Sequence, residues 1–229
     1  MNQKSRVIAI DGPVAAGKGT IALLLGKRLH GFPLNSGAMY RMLALYCLEH
    51  QIPVTKQQEV IDALAHITLD LDETRAFLNG EDVTEKIKKR EIAQIVSKVA
   101  TIGEIRLEMV KRQQEMGEKK IKEGMTVVVE GRDAATKIFP NALLKVFLTA
   151  RPEIRARRRY EQMGGKANNT IDYDKILADT NERDTRDYNR AVDPLVKDPQ
   201  QYGYFVLDNS DMTEEQTVRA VLDKWEKLQ

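Results

Sequence analysis

A single cysteine, Cys47, occurs in the 229 residues, which excludes an intrachain disulfide framework and any multi-cysteine zinc site. Its setting in MLALYCLEH is that of a small buried apolar residue rather than a nucleophile. Hydrophobic runs long enough to cross a bilayer are missing, and the opening MNQKSRVIAIDG lacks the apolar segment of a secretion signal. The expectation is a soluble, cytoplasmic protein with no membrane partner. An excess of one charge is missing too. Lys and Arg number 36 against 34 Asp and Glu, a formal net charge of +2. No global field advertises nucleic acid, and basic residues carry meaning only where they cluster. One such cluster, RARRR at 155–159, has no interleaved aromatics apart from the adjoining Tyr160. Taken alone, that run is ordinarily a solvated helix face, and no nucleic-acid partner is expected. The N/T-K-x-D motif that reads guanine is absent, since TKIF from Thr136 lacks the aspartate, and this argues against a GTPase switch. His30, His50 and His66 lie on separate segments without ligand spacing and read as surface or boundary residues.

What is present is an alternation of strands and helices in a chain of a size suited to one domain, 1–229. Val7–Asp11, FPLNSG from Phe32, Thr126–Gly131, Leu143–Leu148 and Tyr204–Asp208 read as short buried strands. Lys18–Leu29 and a segment from about Ala38 to Glu49 read as helices. Continuous apolar runs separated by helices indicate an α/β fold with a parallel sheet covered on both faces. The last helix begins cleanly, with Thr213 as cap and Gln216 three residues on. Two stretches break the alternation. ITLDLDETRAFLNGEDVT alternates apolar and polar residues around Asn79-Gly80, the signal of an inserted antiparallel hairpin. ARPEIRARRRYEQMGGKANN is a basic helix followed by Gly164-Gly165, the pattern of a hinged flap. EKIKKRE at 85–91 reads as a solvated helix face, and Trp225 as a core residue of the final helix.

Between the first strand and first helix lies DGPVAAGKGT, in which Gly12 through Lys18 match G-x-x-x-x-G-K. Glycines after a strand let the backbone aim N–H groups at phosphate oxygens, the helix adds its positive end, and the lysine reaches the terminal phosphates. The residue after Lys18 is Gly19, and Thr20 follows one place later. A hydroxyl at position 19 would ligate magnesium directly; its absence implies an ion held through water, with Thr20 near another phosphate. GKGT is typical of nucleoside monophosphate kinases. A small anionic acceptor also calls for dispersed arginines near strand ends and helix starts. Arg41, Arg132, Arg183, Arg186 and Arg190 are so placed. On a helix, Arg183, Asp187 and Arg190 share one face.

IAIDGPVAAGKGT, NSGAMYR, FLNGEDVTEKI, VVVEGRD, KVFLTA and ERDTRDYNRAVDPL together resemble, in that order and over most of the chain, the bacterial cytidylate kinases. LNGEDVT with RDYNRAVDPL is more specific than GKGT. The resemblance implies a P-loop kinase with a five-stranded parallel core, an enlarged monophosphate-binding insert at 64–105 and a short helical lid at 151–170. It implies ATP bound by Gly12, Pro13, Val14, Ala15, Ala16, Gly17, Lys18, Gly19 and Thr20, accompanied by Mg2+. It carries CMP or dCMP contacts to Ser36, Arg41, Ser97, Arg106, Arg132, Asp133, Arg183, Asp187 and Arg190. Lys18, Arg41, Arg132 and Arg190 are the expected catalytic set, and the lid arginines Arg155, Arg157 and Arg158 are expected to close over the transferring group. A monomer is the default. The chain departs from the family at Val14-Ala15, where a Ser-Gly or similar small pair is usual, at Asn35 in place of aspartate, and at Ala134-Ala135 after GRD. The implied chemistry needs no general base, because the acceptor phosphate is already an anionic nucleophile. The difficulty is repulsion, about 4 kcal/mol for two unit charges at ~4 Å and an effective dielectric of ~20, which arginine forks and magnesium must overcome.

Overall fold

Five apolar runs form one parallel sheet. In the computed structural model, which describes residues 6–165 and 172–229, the strands are β1 (Val7–Asp11), β2 (Phe32–Asn35), β6 (Val127–Glu130), β7 (Leu144–Thr149) and β8 (Phe205–Asp208). Their order is β2-β6-β1-β7-β8, with every neighbouring pair parallel. Side chains alternate across it. Val7, Ala9, Val127, Val129 and Phe147 enter one core, while Ile8, Ile10, Val128, Val146 and Leu148 enter the other. On the second face lie α1 (Lys18–Leu29) and α8 (Glu214–Glu226), which bring Ile21, Leu25, Val221 and Trp225. Thr213 and Gln216 form the full capping box of α8. The first face carries α2 (Ser36–Glu49) and α5 (Gly103–Lys122), and Cys47 is buried there.

The insertion between α2 and α5 holds α3 (Gln57–Ala65), a three-stranded antiparallel sheet of β3 (Leu69–Leu71), β4 (Ala76–Leu78) and β5 (Glu81–Asp82), and α4 (Arg90–Val99). Asn79 and Gly80 turn the β4–β5 hairpin with φ of 51° and 82°, the left-handed pair such a tight turn requires. One expectation is corrected here. EKIKKRE is not one helix: a 3-10 turn at Lys86–Lys88 ends at Lys89, whose ψ of 150° is extended, and α4 starts after it. Ile87 is buried, and its anchoring sets the break. Beyond β7 come α6 (Pro152–Gln162) and α7 (Tyr173–Asn189), packed on each other. Residues 166–170 of the expected lid lie outside the described residues. No helix among the described residues is long and apolar enough to cross a membrane.

Candidate active site

Because the five strands run parallel, their C-terminal ends share one edge, which in such sheets is where ligands bind. A cleft of about 590 Å³ opens along it, within the size range of small-molecule sites. Eight cationic side chains line it against four carboxylates, so the nearly neutral chain gathers its positive charge in one place.

The end of β1 supplies the phosphate loop. Gly12 has a φ of +148°, and a Cβ there would lie 2.0 Å from the backbone oxygen of Leu148; the loop crosses β7 too closely for any side chain. Gly17 is left-handed at 89°, and so is Ala15 at 58°. Val14, Ala15, Gly17, Lys18, Gly19 and Thr20 face the cleft. Gly12 and Pro13 instead give their carbonyls to Lys18 Nζ, at 2.9 and 2.7 Å, and Ala16 is buried beneath the loop. Burial, with Arg132 opposite, pushes the Lys18 ammonium down to a pKa of about 7.

At the end of β2, Asn35 caps α2 through Ala38 N at 3.0 Å. This is the job an aspartate would do, so that departure leaves the local geometry intact. Ser36 donates to the Glu130 carbonyl at 2.6 Å, tying α2 to the end of β6. Arg41, one turn on, donates to the Ile87 carbonyl of the insertion at 3.1 Å. At the end of β6, Arg132 Nε donates to Asp187 Oδ2 at 2.6 Å, and Asp133 pairs with the buried Arg106. Arg106 also reaches Asp193 Oδ2 at 3.2 Å and the Ala100 carbonyl at 3.2 Å. The 20-residue α5 accommodates the long stretch between Arg106 and Arg132. The Ala134-Ala135 departure opens a π-helical turn over Ala134–Ile138. Its two leading N–H groups donate to Asp11, each at 2.8 Å, and Tyr204 OH donates to the same carboxylate at 2.7 Å.

Helix α7 delivers Arg183 and Asp187, and Arg190 follows at its end; all three line the cleft. Burial works against the Asp187 carboxylate, but Arg132 beside it holds its pKa below the usual range. Burial, with Arg132 and Arg41 nearby, lowers Arg183 to about 10. Arg190 is lowered by burial and by Arg106. It gives Nε to the Asp193 carbonyl at 2.6 Å, and its Nη2 is the one buried side-chain polar atom among the described residues with no partner. Ser97, on α4, faces the same cleft and accepts from Arg186 at 2.9 Å.

The expected lid set divides. Arg158 lines the cleft, donating to Asn209 Oδ1 at 3.0 Å and to the Asn209 carbonyl at 2.7 Å. Arg155 does not line it. It is 4% exposed and bound to Asp184 at 2.6 Å, the Val14 carbonyl at 2.8 Å and the Ala150 carbonyl at 2.8 Å. Arg157 is exposed and lies over the Tyr173 ring at 6.0 Å. The helical phase of α6 puts these two on other faces and brings Arg159 to the cleft instead. Sequence reasoning also missed Glu130, Tyr40, Asn209, Met212 and Thr213, which line the cleft as well. Position at the end of a parallel strand for Glu130, and just past one for Asn209, was the available signal.

The cytidylate kinase family model matches residues 8–227. Cytidylate kinase of Caldanaerobacter subterraneus subsp. tengcongensis is 41% identical over 94% of this chain and 92% of its own. That of Fusobacterium nucleatum is 39% identical over 97% and 98%. Among solved structures, an uncharacterized protein from Eubacterium ventriosum aligns over 98% of this chain and 99% of its own, with a TM-score of 0.52 and 14% identity, a likeness of fold alone. By sequence along nearly its whole length, the chain belongs to the cytidylate kinase family.

Proposed function

We propose that the cleft carries phosphoryl transfer from ATP to CMP or dCMP, giving ADP and CDP or dCDP. The donor phosphates lie on the loop from Ala15 to Thr20, with Lys18 released from the Gly12 and Pro13 carbonyls to meet them. The donor base goes to the end lined by Asn209, Met212 and Thr213. The acceptor phosphate takes Ser36, Arg41, Arg132 and Arg190, and the sugar Arg183 and Asp187. Asp133, Arg106 and Ser97 read the base, whose amino donor and ring acceptors need both kinds of partner. The insert at 64–105 holds the acceptor and the segment 151–170 is the lid, with Arg158 and Arg159 facing the transferring group.

Magnesium fits this arrangement as an ion that arrives with the donor. Glu130 is the carboxylate beside the loop, its Oε1 4.0 Å from where a Gly19 Cβ would stand, and it would hold the ion's water shell. Bound there, Mg2+ neutralises the donor's phosphate oxygens. Arg41, Arg132 and Arg190 do the same for the acceptor, whose anionic phosphate is itself the nucleophile and needs no general base.

The unpartnered Nη2 of Arg190 carries the reading. A buried donor without an acceptor costs about 1–3 kcal/mol, and an anion seated in the cleft relieves that cost. An ADP-release assay across CMP, dCMP, UMP, AMP and GMP tests it. Turnover with CMP and dCMP well above the others is expected; ADP release independent of any monophosphate defeats it.

A further inference from the structure

Val14 stands at the bend of the phosphate loop, yet both of its peptide groups are occupied by side chains of helices α6 and α7. Its N–H donates to Asp184 Oδ1 of α7 at 2.9 Å. Its carbonyl accepts from Arg155 Nη1 of α6 at 2.8 Å, and the same nitrogen reaches Asp184 Oδ2 at 2.6 Å. Arg155 and Asp184 are 4% and 8% exposed, and neither lines the cleft. An N–H given to a carboxylate is not available to a phosphate, so the anion-binding amides are those that follow Val14. Ala15 comes next, at a φ of 58°. A residue with a Cβ persists in that region only where its surroundings over-determine it. A buried aspartate so near an anion site would oppose the ligand unless neutralised, and Arg155 supplies the countercharge in a short charge-assisted bond.

We propose that Asp184 and Arg155 are positioning residues for the nucleotide donor: by gripping both peptide groups of Val14 they hold the Val14–Ala15 bend in its phosphate-accepting shape. The inference rests on the reading of this loop as the donor site and extends it to two residues that touch the loop from behind and do not line the cleft. It also gives the lid a mechanical route to the loop, since α6 carries Arg155.

A buried ion pair that merely staples α6 to α7 makes a different prediction, and two variants separate the cases. In Arg155→Met with Asp184→Leu, apolar side chains of similar size replace the pair, an exchange that commonly preserves stability. Both bonds to Val14 are lost. The expectation is a melting temperature within about 3 °C of the parent, with the ADP dissociation constant, read by calorimetry, raised by about tenfold or more. In Asp184→Asn the side-chain oxygen still accepts from Val14 N–H, but Arg155 loses its countercharge. Here stability falls while ADP affinity stays within about threefold. Parent-like ADP affinity in the folded double variant overturns the proposal. So does an Asp184→Asn protein whose ADP affinity falls in step with its stability, and that comparison decides by itself if the double variant does not fold. Because the readout is ADP binding, a parent protein that binds ADP and fails to phosphorylate CMP defeats the acceptor assignment without touching this one.

Discussion

Arg190 shows how a single side chain can be costly for the fold and useful for the ligand. Its side chain is 7% exposed, one nitrogen is satisfied by the Asp193 carbonyl, and another is buried with nothing to donate to. Replacing it with methionine, Arg190→Met, removes the orphaned donor, one good bond and an ion pair with Asp187 at the limiting distance of 4.0 Å, so that the two main terms are of similar size and opposite sign. The melting temperature is therefore expected to stay within about 3 °C, while kcat/KM for CMP falls by about a hundredfold or more. A melting temperature that drops sharply, or a kcat/KM that holds, would make Arg190 a structural residue. The arginines also mark where single-residue reading ends. Arg41, Arg132 and Arg183 could be picked out because they follow strand ends or share a helical face. Within RARRR nothing in the sequence distinguishes Arg155 from Arg158. Only the packing of α6, which buries Ala156 and turns Arg155 toward Asp184, sends Arg158 and Arg159 to the cleft.

The phosphate loop owes its shape to the strand it crosses as much as to its own glycines. In Gly12→Ala, the new methyl would meet the Leu148 carbonyl oxygen, an atom of the β7 backbone that cannot swing aside. Gly203, also left-handed at 75°, has open space around its Cβ position. Gly203→Ala should then cost only the left-handed strain, about 1–2 kcal/mol, and keep the thermal shift that ADP produces. Gly12→Ala should abolish that shift; a normal ADP response would show that the loop can move off β7. Of the elements, those with strong local signals were readable: the five strands, though β8 lies at the sheet edge and is half-exposed rather than buried, the Asn79-Gly80 hairpin and the Thr213–Gln216 box. The break at Lys89 was not, because it accompanies the burial of Ile87 in the core shared with α2. Nor was the π-helical turn, whose leading amides are held by Asp11, a residue more than a hundred positions away.

For the whole molecule the relevant quantity is where charge is concentrated. A net charge of +2 gives no hint of a cleft in which cations outnumber carboxylates two to one, because that ratio exists only once parallel strands have brought their ends together. The concentration has a consequence for pH. In the free protein Lys18 is buried, faces Arg132 and sits near a pKa of about 7. Nucleotide phosphates beside it favour its charged form and raise that value. Below about pH 7 the lysine is already protonated, and binding moves no proton at this site. Between about 7 and the raised value in the complex, binding must take one up. ADP affinity should therefore decline as pH rises through that window, by at most about tenfold per unit. Calorimetry in two buffers of different ionisation enthalpy reads the proton directly, once the nucleotide's own phosphate titration is subtracted. Uptake approaching one proton is expected near pH 8.5 and almost none near pH 6, with the difference gone in Lys18→Met. The same depression acts on folding with the opposite sign: the unfolded chain, with an ordinary lysine, binds the extra proton, so this group makes stability rise with pH between about 7 and 10.5. If no proton is taken up at the higher pH, Lys18 is charged in the free cleft, and burial with Arg132 opposite depresses it less than the geometry requires.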